Sequence, residues 1–304
     1  GGAWPYPRLV AHRGAGRLAP ENTLAAFRLG HAHGLRMAEC DVKLSADGVA
    51  FLLHDATLDR TTDGRGRADA LSWRELALLD AGGWHSPAYA GEPLPALAAI
   101  AAFCRANGVA LNIEIKPTPG RERETGAAVA IDAARLWHGA EVPPLLSSFS
   151  EAALAAAQEA VPALPRAYLC DRLPSDWLAR CAALGCVALD AKHTLVDAGV
   201  IDAAHAAGLR VAAWTVNDAA RARDAAEGPA VGRVARAGER QQRVGDRGAL
   251  QARLPLPAVA TRPGIARMVG EERIAGTRGL RRVREGRPPE AAGRRGWQLQ
   301  GGPE

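Results

Sequence analysis

The stretch Met37-Ala38-Glu39-Cys40-Asp41-Val42-Lys43-Leu44 has the pattern of a β-strand that carries two carboxylates in a mostly apolar run. Side chains alternate between the two faces of a strand, so Glu39 and Asp41 point the same way. Strands of a parallel sheet are normally apolar on both faces, which makes these carboxylates unusual. Two carboxylates on one buried face repel each other unless a cation lies between them. The stretch therefore predicts a buried parallel strand with a chemical role.

Short apolar runs alternate with helical patterns on both sides of this strand. The predicted strands are 8–12, 37–44, 49–54, 110–116, 144–149, 166–170, 186–192 and 210–216. The predicted helices are 23–33, 97–107, 123–137, 151–160, 175–184, 197–207 and 219–226, with Asn22 as the cap of the first. Such alternation predicts a mostly parallel sheet, either a barrel or a doubly wound sheet. About eight strands in one run favour a TIM-type (β/α)8 barrel.

Two stretches interrupt this alternation. Residues 45–48, Ser-Ala-Asp-Gly, leave room only for a turn between two strands. Residues 55–95 are rich in Gly, Trp and Asp, and we expect them to form an insertion after the third strand, beside the barrel mouth. Residues 8–227 are therefore the predicted barrel domain.

The charge is divided unevenly along the chain. Residues 228–304 contain sixteen Arg, no Lys and seven acidic residues, a net charge of +9. The first 227 residues carry 22 basic and 26 acidic groups, a net charge of −4. Nucleic-acid binding would thus depend on the tail alone, and we expect no nucleic-acid partner. The tail is rich in Arg, Gly and Pro and lacks periodicity, which predicts disorder or an aberrant reading frame.

The cysteine pattern and the hydropathy of the chain indicate its cellular compartment. Five Cys are scattered without a CxxC pair, which suits neither a disulfide framework nor a zinc site. No apolar run reaches the ~18–20 residues of a membrane span, and no signal peptide is visible. We therefore expect a reducing, cytoplasmic location, although a leader already removed would give the same pattern.

Polar residues also end three other predicted strands, at the edge where barrel enzymes keep their active sites. They are His12 and Arg13 before a glycine loop, His54, and the group Asn112, Glu114 and Lys116 on one strand face. Three carboxylates without Cys suit a hard cation, Mg²⁺ or Ca²⁺. Two imidazoles and two basic groups around that cation suit a phosphate ester. An isolated Glu-x-Asp is more often a solvated or hydrogen-bonded pair, but convergence in one barrel mouth favours a metal site.

Eight ordered motifs resemble the glycerophosphodiester phosphodiesterase family, most closely its bacterial cytoplasmic members. They are His12-Arg13-Gly14, Ala19-Pro20-Glu21-Asn22-Thr23, Glu39-Cys40-Asp41-Val42, Asp47-Gly48, His54-Asp55, Leu58-Asp59-Arg60-Thr61-Thr62, Glu114-Ile115-Lys116 and Trp214-Thr215-Val216-Asn217. The resemblance covers about three quarters of the chain. It implies a barrel fold and metal-dependent hydrolysis of glycerophosphodiesters to glycerol 3-phosphate and an alcohol.

The resemblance also assigns roles to residues. It implies that Glu39, Asp41 and Glu114 hold one divalent cation, Mg²⁺ or Ca²⁺. It implies His12 and His54 as the general acid and base, Arg13 and Lys116 as phosphate ligands, and Trp214 against the glycerol or alcohol portion. The segment from Pro20 to Thr23 is interpreted as mainly structural. Which histidine is the base, and whether water attacks directly or a cyclic phosphate forms first, stay open.

The chain departs from the family pattern after Asn217. Family members continue with a strand that reads like Gly-(Val/Ala)-Asp-Gly-Ile-Ile-Thr-Asp, whereas this chain continues Gly228-Pro229-Ala230-Val231. We therefore expect the closing strand of the barrel to be missing or altered, which would leave an open sheet edge. Two alternatives to the active hydrolase remain: a related barrel phospholipase acting on intact lipids, or an inactive family member acting as a binding protein.

Overall fold

The structure, a computed structural model, describes residues 4–216 and 231–235, the latter as backbone only. The strands are β1 Leu9–Ala11, β2 Met37–Leu44, β3 Ala50–Leu52, β4 Ala110–Ile115, β5 Leu145–Ser148, β6 Arg166–Cys170, β7 Ala188–Lys192, β8 Arg210–Val216 and β9 Val231–Ala235. The helices are α1 Leu24–Ala32, α2 Trp73–Leu76, α3 Leu97–Asn107, α4 Glu122–Leu136, α5 Glu151–Ala160, α6 Trp177–Ala183 and α7 Ala198–Ala206. Two 3₁₀ turns, Ala68–Ala70 and Pro87–Tyr89, lie between β3 and α3.

The described strands form the predicted barrel. Pairing runs β1-β9-β8-β7-β6-β5-β4-β2, and β2 returns to β1 through the pair Ala11↔Ala38. All of these pairings are parallel. The crossover helices cover the outside of this ring, as parallel strands require. The TIM-type fold predicted from the alternation of strands and helices is thereby confirmed.

Two strands, β3 and β9, decide how the barrel closes. The predicted third strand, β3, pairs antiparallel with β2 and lies outside the parallel ring. Of the two expected alternatives, a missing or an altered closing strand, the structure has the altered one, because β9 pairs with both β8 and β1, for example Leu9↔Arg233. Strand pairing uses backbone groups, so a sequence unlike the family pattern can still occupy this position. The strand is therefore altered, and it follows residue 227, where the predicted barrel domain ends.

Both faces of the barrel strands are buried, but in different surroundings. On β2, alternate residues from Ala38 to Leu44 join α3 and α4 in the largest apolar cluster. The opposite face begins with Met37, which packs inside the barrel with Leu145 and Ala188 and with Tyr6 from the N-terminal segment. This apolar plug fills the lower end of the lumen. Polar side chains on the same inward faces therefore lie towards the carboxyl ends of the strands.

The segment between β3 and α3 has a small apolar core of its own, built from Phe51, Leu58, Leu76 and neighbouring residues. It is joined to the barrel by backbone bonds, among them the Leu53 amide to the Asp41 carbonyl at 3.1 Å. It also contacts the loop after β1, where the His85 ring lies 3.0 Å from the Arg17 carbonyl. The predicted insertion is thus a folded segment at the barrel mouth.

Helix starts and ends follow local chemistry, with one correction. Thr23, not Asn22, caps α1, since the Thr23 hydroxyl accepts a bond from the Ala26 amide at 3.2 Å. Gly108 ends α3 in the left-handed region, with φ +60°, as a C-terminal glycine often does. None of the described helices is long and apolar enough to cross a membrane. The predicted helix 219–226, Asn217 and the tail apart from β9 lie outside the described residues.

Candidate active site

Two neighbouring strands bring the three predicted metal ligands together. In the β2–β4 register, Asp41 lies opposite Glu114 and Glu39 lies two residues earlier on the same face. One carboxylate oxygen from each residue lies within 4.8 Å of the others. Glu39 and Asp41 are almost fully buried, at 4% and 1% exposure, and Glu114 is partly exposed. A cation could therefore be held from one side by all three groups.

Burial and mutual repulsion act on these carboxylates. Burial, together with the charges of Asp41 and Glu114, raises the pKa of Glu39 well above its usual range. Burial and the charge of Asp41 raise the pKa of Glu114 to about 8. Burial alone would raise the pKa of Asp41, but the charges of Lys116 and Arg13 outweigh it and hold that pKa below its usual range. A dication would remove the repulsion between the three groups.

The donor set fits a hard divalent cation. Glu39 Oε1 is buried and lacks a hydrogen-bond partner among the described residues, whereas the buried Glu114 Oε1 is approached by the Lys116 ammonium at 3.3 Å. All three side chains offer oxygen, the ligand that Mg²⁺ and Ca²⁺ prefer, and none offers sulfur. Unpaired buried carboxylate oxygens are costly unless something charged completes them. This cluster therefore supports a metal-binding role for these residues.

Two basic side chains flank the acidic cluster. The Lys116 ammonium lies 3.3 Å from Asp41 Oδ1 and 3.3 Å from Glu114 Oε1. The Arg13 Nε lies 3.2 Å from Asp41 Oδ2, and its Nη1 donates to Glu21 Oε1 at 2.8 Å. Burial lowers the pKa of Lys116, but Asp41 and Glu114 raise it more, so the ammonium stays charged. Both cations thus lie beside the acidic cluster and contact Asp41.

The loop after β1 places Arg13 by an unusual backbone path. Arg13 itself has φ +50° and Gly14 has φ +93°, both in the left-handed region. The Arg13 amide donates to Glu39 Oε2 at 3.0 Å, which ties the loop directly to a predicted metal ligand. Gly30 of α1 packs so closely under this loop that a Cβ there would lie 2.1 Å from the Gly14 carbonyl oxygen. Strained backbone of this kind is typical of functional sites.

Both candidate histidines reach the cluster. His12 Nε2 lies 3.9 Å from Glu39 Oε2. His54 follows β3, which runs antiparallel to β2 and so returns the chain to the level of Asp41. His54 therefore arrives at the mouth by a hairpin and not at the end of a barrel strand. Burial lowers the pKa of His54.

Several residues that the sequence interpretation did not place in the site belong to it. Asn22, predicted as a helix cap, bonds to Asp41, and Glu21 bonds to Arg13. Asp55 lies 2.6 Å from the His54 ring, and Arg60 bonds to both Asp55 and Glu21. The sequence feature that could have indicated most of these residues is the grouping of polar residues in the Pro-Glu-Asn-Thr and Leu-Asp-Arg-Thr-Thr motifs.

Trp214 lies on β8 beside a different set of residues. Its indole N–H donates to the Asp190 carbonyl at 3.3 Å, and its ring meets Phe149 edge to face at 5.4 Å. Phe149 follows β5 and is 44% exposed, unusual for a large apolar side chain. Together these two rings give the mouth an apolar wall.

Two further buried side chains are titratable, Lys43 on β2 and Asp190 on β7. Lys43, on the same face of β2 as Asp41, is buried and donates to the Lys116 carbonyl at 3.0 Å. Burial and the charge of Lys116 lower the pKa of Lys43 to about 8. Asp190 is also buried and has an oxygen without a partner among the described residues, and burial raises its pKa to about 7.

Comparison with known proteins agrees with this geometry. A sequence profile described as the glycerophosphoryl diester phosphodiesterase family matches residues 12–234. YhdW of Bacillus subtilis, whose name assigns it provisionally to the glycerophosphodiester phosphodiesterases, is 34% identical over 217 residues, which are 69% of this chain and 86% of YhdW.

Solved structures give the same result. An Oleispira antarctica phosphodiesterase in complex with the product sn-glycerol-3-phosphate is 34% identical with a TM-score of 0.71, over 78% of this chain and 96% of that one. A glycerophosphodiester phosphodiesterase from Agrobacterium tumefaciens is 30% identical with a TM-score of 0.66, over 76% and 96%. The chain belongs to the glycerophosphoryl diester phosphodiesterase family and is a phosphoric diester hydrolase.

Proposed function

We propose that this chain hydrolyses glycerophosphodiesters, such as glycerophosphocholine or glycerophosphoethanolamine, to glycerol 3-phosphate and the free alcohol, as a step in phospholipid breakdown. The observation that carries the proposal is the buried cluster of three carboxylates, flanked by Arg13 and Lys116 and approached by two histidines. The Oleispira antarctica relative in complex with sn-glycerol-3-phosphate supports this product.

Glu39, Asp41 and Glu114 are the proposed ligands of one divalent cation, Mg²⁺ or Ca²⁺. When bound, such a cation neutralises phosphoryl charge and polarises a phosphate oxygen. The buried Glu39 Oε1, which has no hydrogen-bond partner among the described residues, supports this role. Asp41 would hold its charge without the cation, since Lys116 and Arg13 keep its pKa low.

Arg13 and Lys116 are the proposed phosphate ligands. A guanidinium presents several N–H donors in a fixed plane, which suits two phosphate oxygens, whereas an ammonium acts as a point charge. Both cations already lie about 3.2–3.3 Å from Asp41, so a phosphate held beside that carboxylate would be within their reach. Preorganised charges of this kind stabilise the transition state in proportion to the charge that develops there.

His12 and His54 are the proposed acid and base. A general base must lie within hydrogen-bond reach of the proton it accepts, and both rings border the acidic cluster. Replacement of either histidine by Ala should leave the fold intact and remove most turnover, because each contributes on the order of 10²–10⁴-fold. Full activity of His12→Ala would contradict the assignment.

Trp214 is the proposed contact for the glycerol or alcohol portion of the substrate, and Phe149 beside it extends the same apolar wall. Aromatic faces pack against the C–H groups of small polyols without demanding one orientation.

A cytoplasmic location remains part of the proposal, supported by five cysteines that are all buried and free.

The first experiment measures glycerol 3-phosphate released from glycerophosphocholine with added Mg²⁺ or Ca²⁺ and with a chelator. Metal-dependent release by the wild type, together with loss in Glu114→Gln, is the expected result. A cooperatively folded chain that binds metal but releases no product would contradict the proposed substrate. Parallel assays with intact phosphatidylcholine and with lysophosphatidylcholine test the phospholipase alternative directly.

A further inference from the structure

The His54 ring has an acidic neighbour that decides which ring nitrogen carries a proton. His54 Nδ1 lies 2.6 Å from Asp55 Oδ1. The hydrogen bond from Arg60 is the chief reason that the pKa of Asp55 lies below its usual range, so this carboxyl is an anion. A carboxylate anion only accepts hydrogen bonds, so Nδ1 must be the donor. The neutral ring then has its lone pair on Nε2.

Arg60 holds this carboxylate in place with a fork. Its Nε donates to Asp55 Oδ2 at 2.6 Å and its Nη2 to Oδ1 at 3.0 Å. A planar guanidinium bound through two parallel bonds fixes both the position and the plane of a carboxylate. The Asp55 carboxylate therefore cannot rotate freely away from the His54 ring.

The same guanidinium connects His54 to the phosphate side of the site. Arg60 Nη1 donates to Glu21 Oε2 at 3.0 Å and Nη2 to Glu21 Oε1 at 2.7 Å. Glu21 Oε1 also accepts from Arg13 Nη1 at 2.8 Å. An unbroken chain of hydrogen bonds thus runs from Arg13 through Glu21, Arg60 and Asp55 to His54.

We propose that Asp55 and Arg60 are positioning residues for the hydrolytic reaction: Asp55 fixes the proton of His54 on Nδ1, so that Nε2 is the atom that exchanges a proton with the substrate. Through Glu21, Arg60 holds Arg13 in the same frame. This inference rests on the proposed role of His54, but its physical content, one tautomer held by one carboxylate, can be measured separately.

If the ion pairs of Arg60 with Asp55 and Glu21 had only a structural role, the variants would behave differently. Arg60 is 45% exposed at its side chain, and exposed ion pairs contribute only about 0–1 kcal/mol to stability. Removal of the Asp55 charge should therefore change the unfolding midpoint little. A positioning role instead predicts a large fall in turnover without a fall in stability, which separates the two roles.

The experiment compares Asp55→Asn with Asp69→Asn, a matched control in the same insertion. Asp69 accepts a similar fork from Arg67, at 2.9 and 2.7 Å, away from the histidines. Asp55→Asn should lower kcat on the order of 10²–10⁴-fold with little change in KM, as loss of the carboxylate behind a catalytic imidazole does elsewhere. Asp69→Asn should leave kcat unchanged.

A merely structural role of Asp55 would not affect the tautomer of His54. The tautomer is measured from the nitrogen chemical shifts of the His54 ring, and these signals are assigned by their loss in His54→Gln. Wild type should show the Nδ1–H form, and Asp55→Asn should shift the population towards Nε2–H. An unchanged tautomer or a wild-type kcat in Asp55→Asn would overturn the proposal. The tautomer is measured without turnover, so a wrong substrate assignment would not be mistaken for failure of this inference.

Arg60→Lys provides a second variant if Asp55→Asn unfolds. It keeps the cation but loses the fork, so Asp55 keeps its charge and loses its fixed plane. The expected result is a kcat reduced about tenfold or more and a raised KM, because Arg13 loses its support through Glu21 as well. Wild-type kcat and KM in a folded Arg60→Lys would count against the proposal.

Discussion

Asn22 bonds to both the side chain and the backbone of Asp41. Its Nδ2 donates to Asp41 Oδ2 at 2.8 Å, and its Oδ1 accepts the Asp41 amide at 3.1 Å. Asn22 adopts φ +59°, a left-handed conformation that Asn tolerates better than most residues, and its own amide donates to the Arg13 carbonyl at 3.1 Å. Through its side chain and its backbone, the buried Asn22 thus links the loop after β1 to Asp41, a proposed metal ligand.

We expect Asn22→Ala to lower the free energy of unfolding by about 2–4 kcal/mol, because it removes two buried bonds, one of them to a charged group. Asn22→Gly removes the same bonds but adopts positive φ without strain, and should be about 1 kcal/mol less destabilising. Urea denaturation of both variants measures the difference. Equal loss in the two would mean that the left-handed backbone of Asn22 carries no strain.

The role of Asn22 shows where sequence interpretation stops. An Asn before a helical pattern predicts an N-terminal helix cap. That prediction was wrong by one residue, because the cap of α1 is Thr23. The bond from Asn22 to Asp41 spans nineteen residues and depends on how the loop turns, which no local pattern encodes. The pairing of Glu39, Asp41 and Glu114, by contrast, was predictable, because alternation within parallel strands places such residues on one face.

The closing of the barrel, unlike the pairing of the carboxylates, could not be predicted from the sequence. Eight strands were expected by counting β3, whose apolar run Ala50-Phe51-Leu52 looks like a barrel strand, although it pairs antiparallel outside the ring. The true eighth strand, β9, was overlooked because Val-Gly-Arg-Val-Ala lacks a long apolar run. Direction and partner of a strand are tertiary properties, and a short polar-containing strand is recognised only from its pairing.

Glu114→Gln should have opposite effects with and without metal. In chelator at pH 8 the variant should be as stable as wild type or more so, because it removes a buried carboxyl whose pKa is raised to about 8. With Mg²⁺ or Ca²⁺ at about 100 times the Kd, wild type should gain about 2.7 kcal/mol and the variant clearly less.

Thermal unfolding in both buffers is the measurement for this pair, with Glu141→Gln as the control. Glu141 is an exposed acid remote in sequence from the cluster, and its loss should leave the response to metal unchanged. Equal metal-induced shifts in wild type and Glu114→Gln would argue against Glu114 as a ligand.

Gly30→Ala should be far more costly than a typical glycine substitution in a helix. The new Cβ would lie 2.1 Å from the Gly14 carbonyl oxygen, so α1 or the loop that carries Arg13 must move. We expect a loss of about 2–3 kcal/mol and a higher KM. Gly199→Ala in α7 is the control, since its nearest neighbour would lie 3.4 Å away, and it should be neutral or stabilising by about 0.5–1 kcal/mol. Denaturation midpoints and KM for both variants test this.

Asp190 should make stability depend on pH. Its folded pKa is raised to about 7 by burial, above the unfolded value of 3.8, so the folded state binds a proton that the unfolded state releases between these values. Stability contributed by the protonated form is therefore present at low pH and lost as pH rises to about 7. Asp190→Asn should then gain stability relative to wild type between pH 5 and pH 8, by at most on the order of 3 kcal/mol. Denaturation of both proteins across this range, at constant metal, measures the difference, and a pH-independent difference would mean that Asp190 is ionised throughout.

The role of β9 can be tested by two truncations that differ in residues 228–249, the segment that contains it. A chain that ends at residue 249 keeps Val231–Ala235, and a chain that ends at residue 227 loses it. Without β9, the facing edges of β1 and β8 lose their parallel partners, for example at Leu9 and Val211. Unpaired strand edges cost hydrogen bonds and promote association, so the shorter chain should aggregate and lose cooperative unfolding. The longer chain should unfold cooperatively and retain metal binding. If the chain ending at residue 227 unfolds cooperatively as a monomer, β9 is dispensable and the barrel is stable as an open sheet.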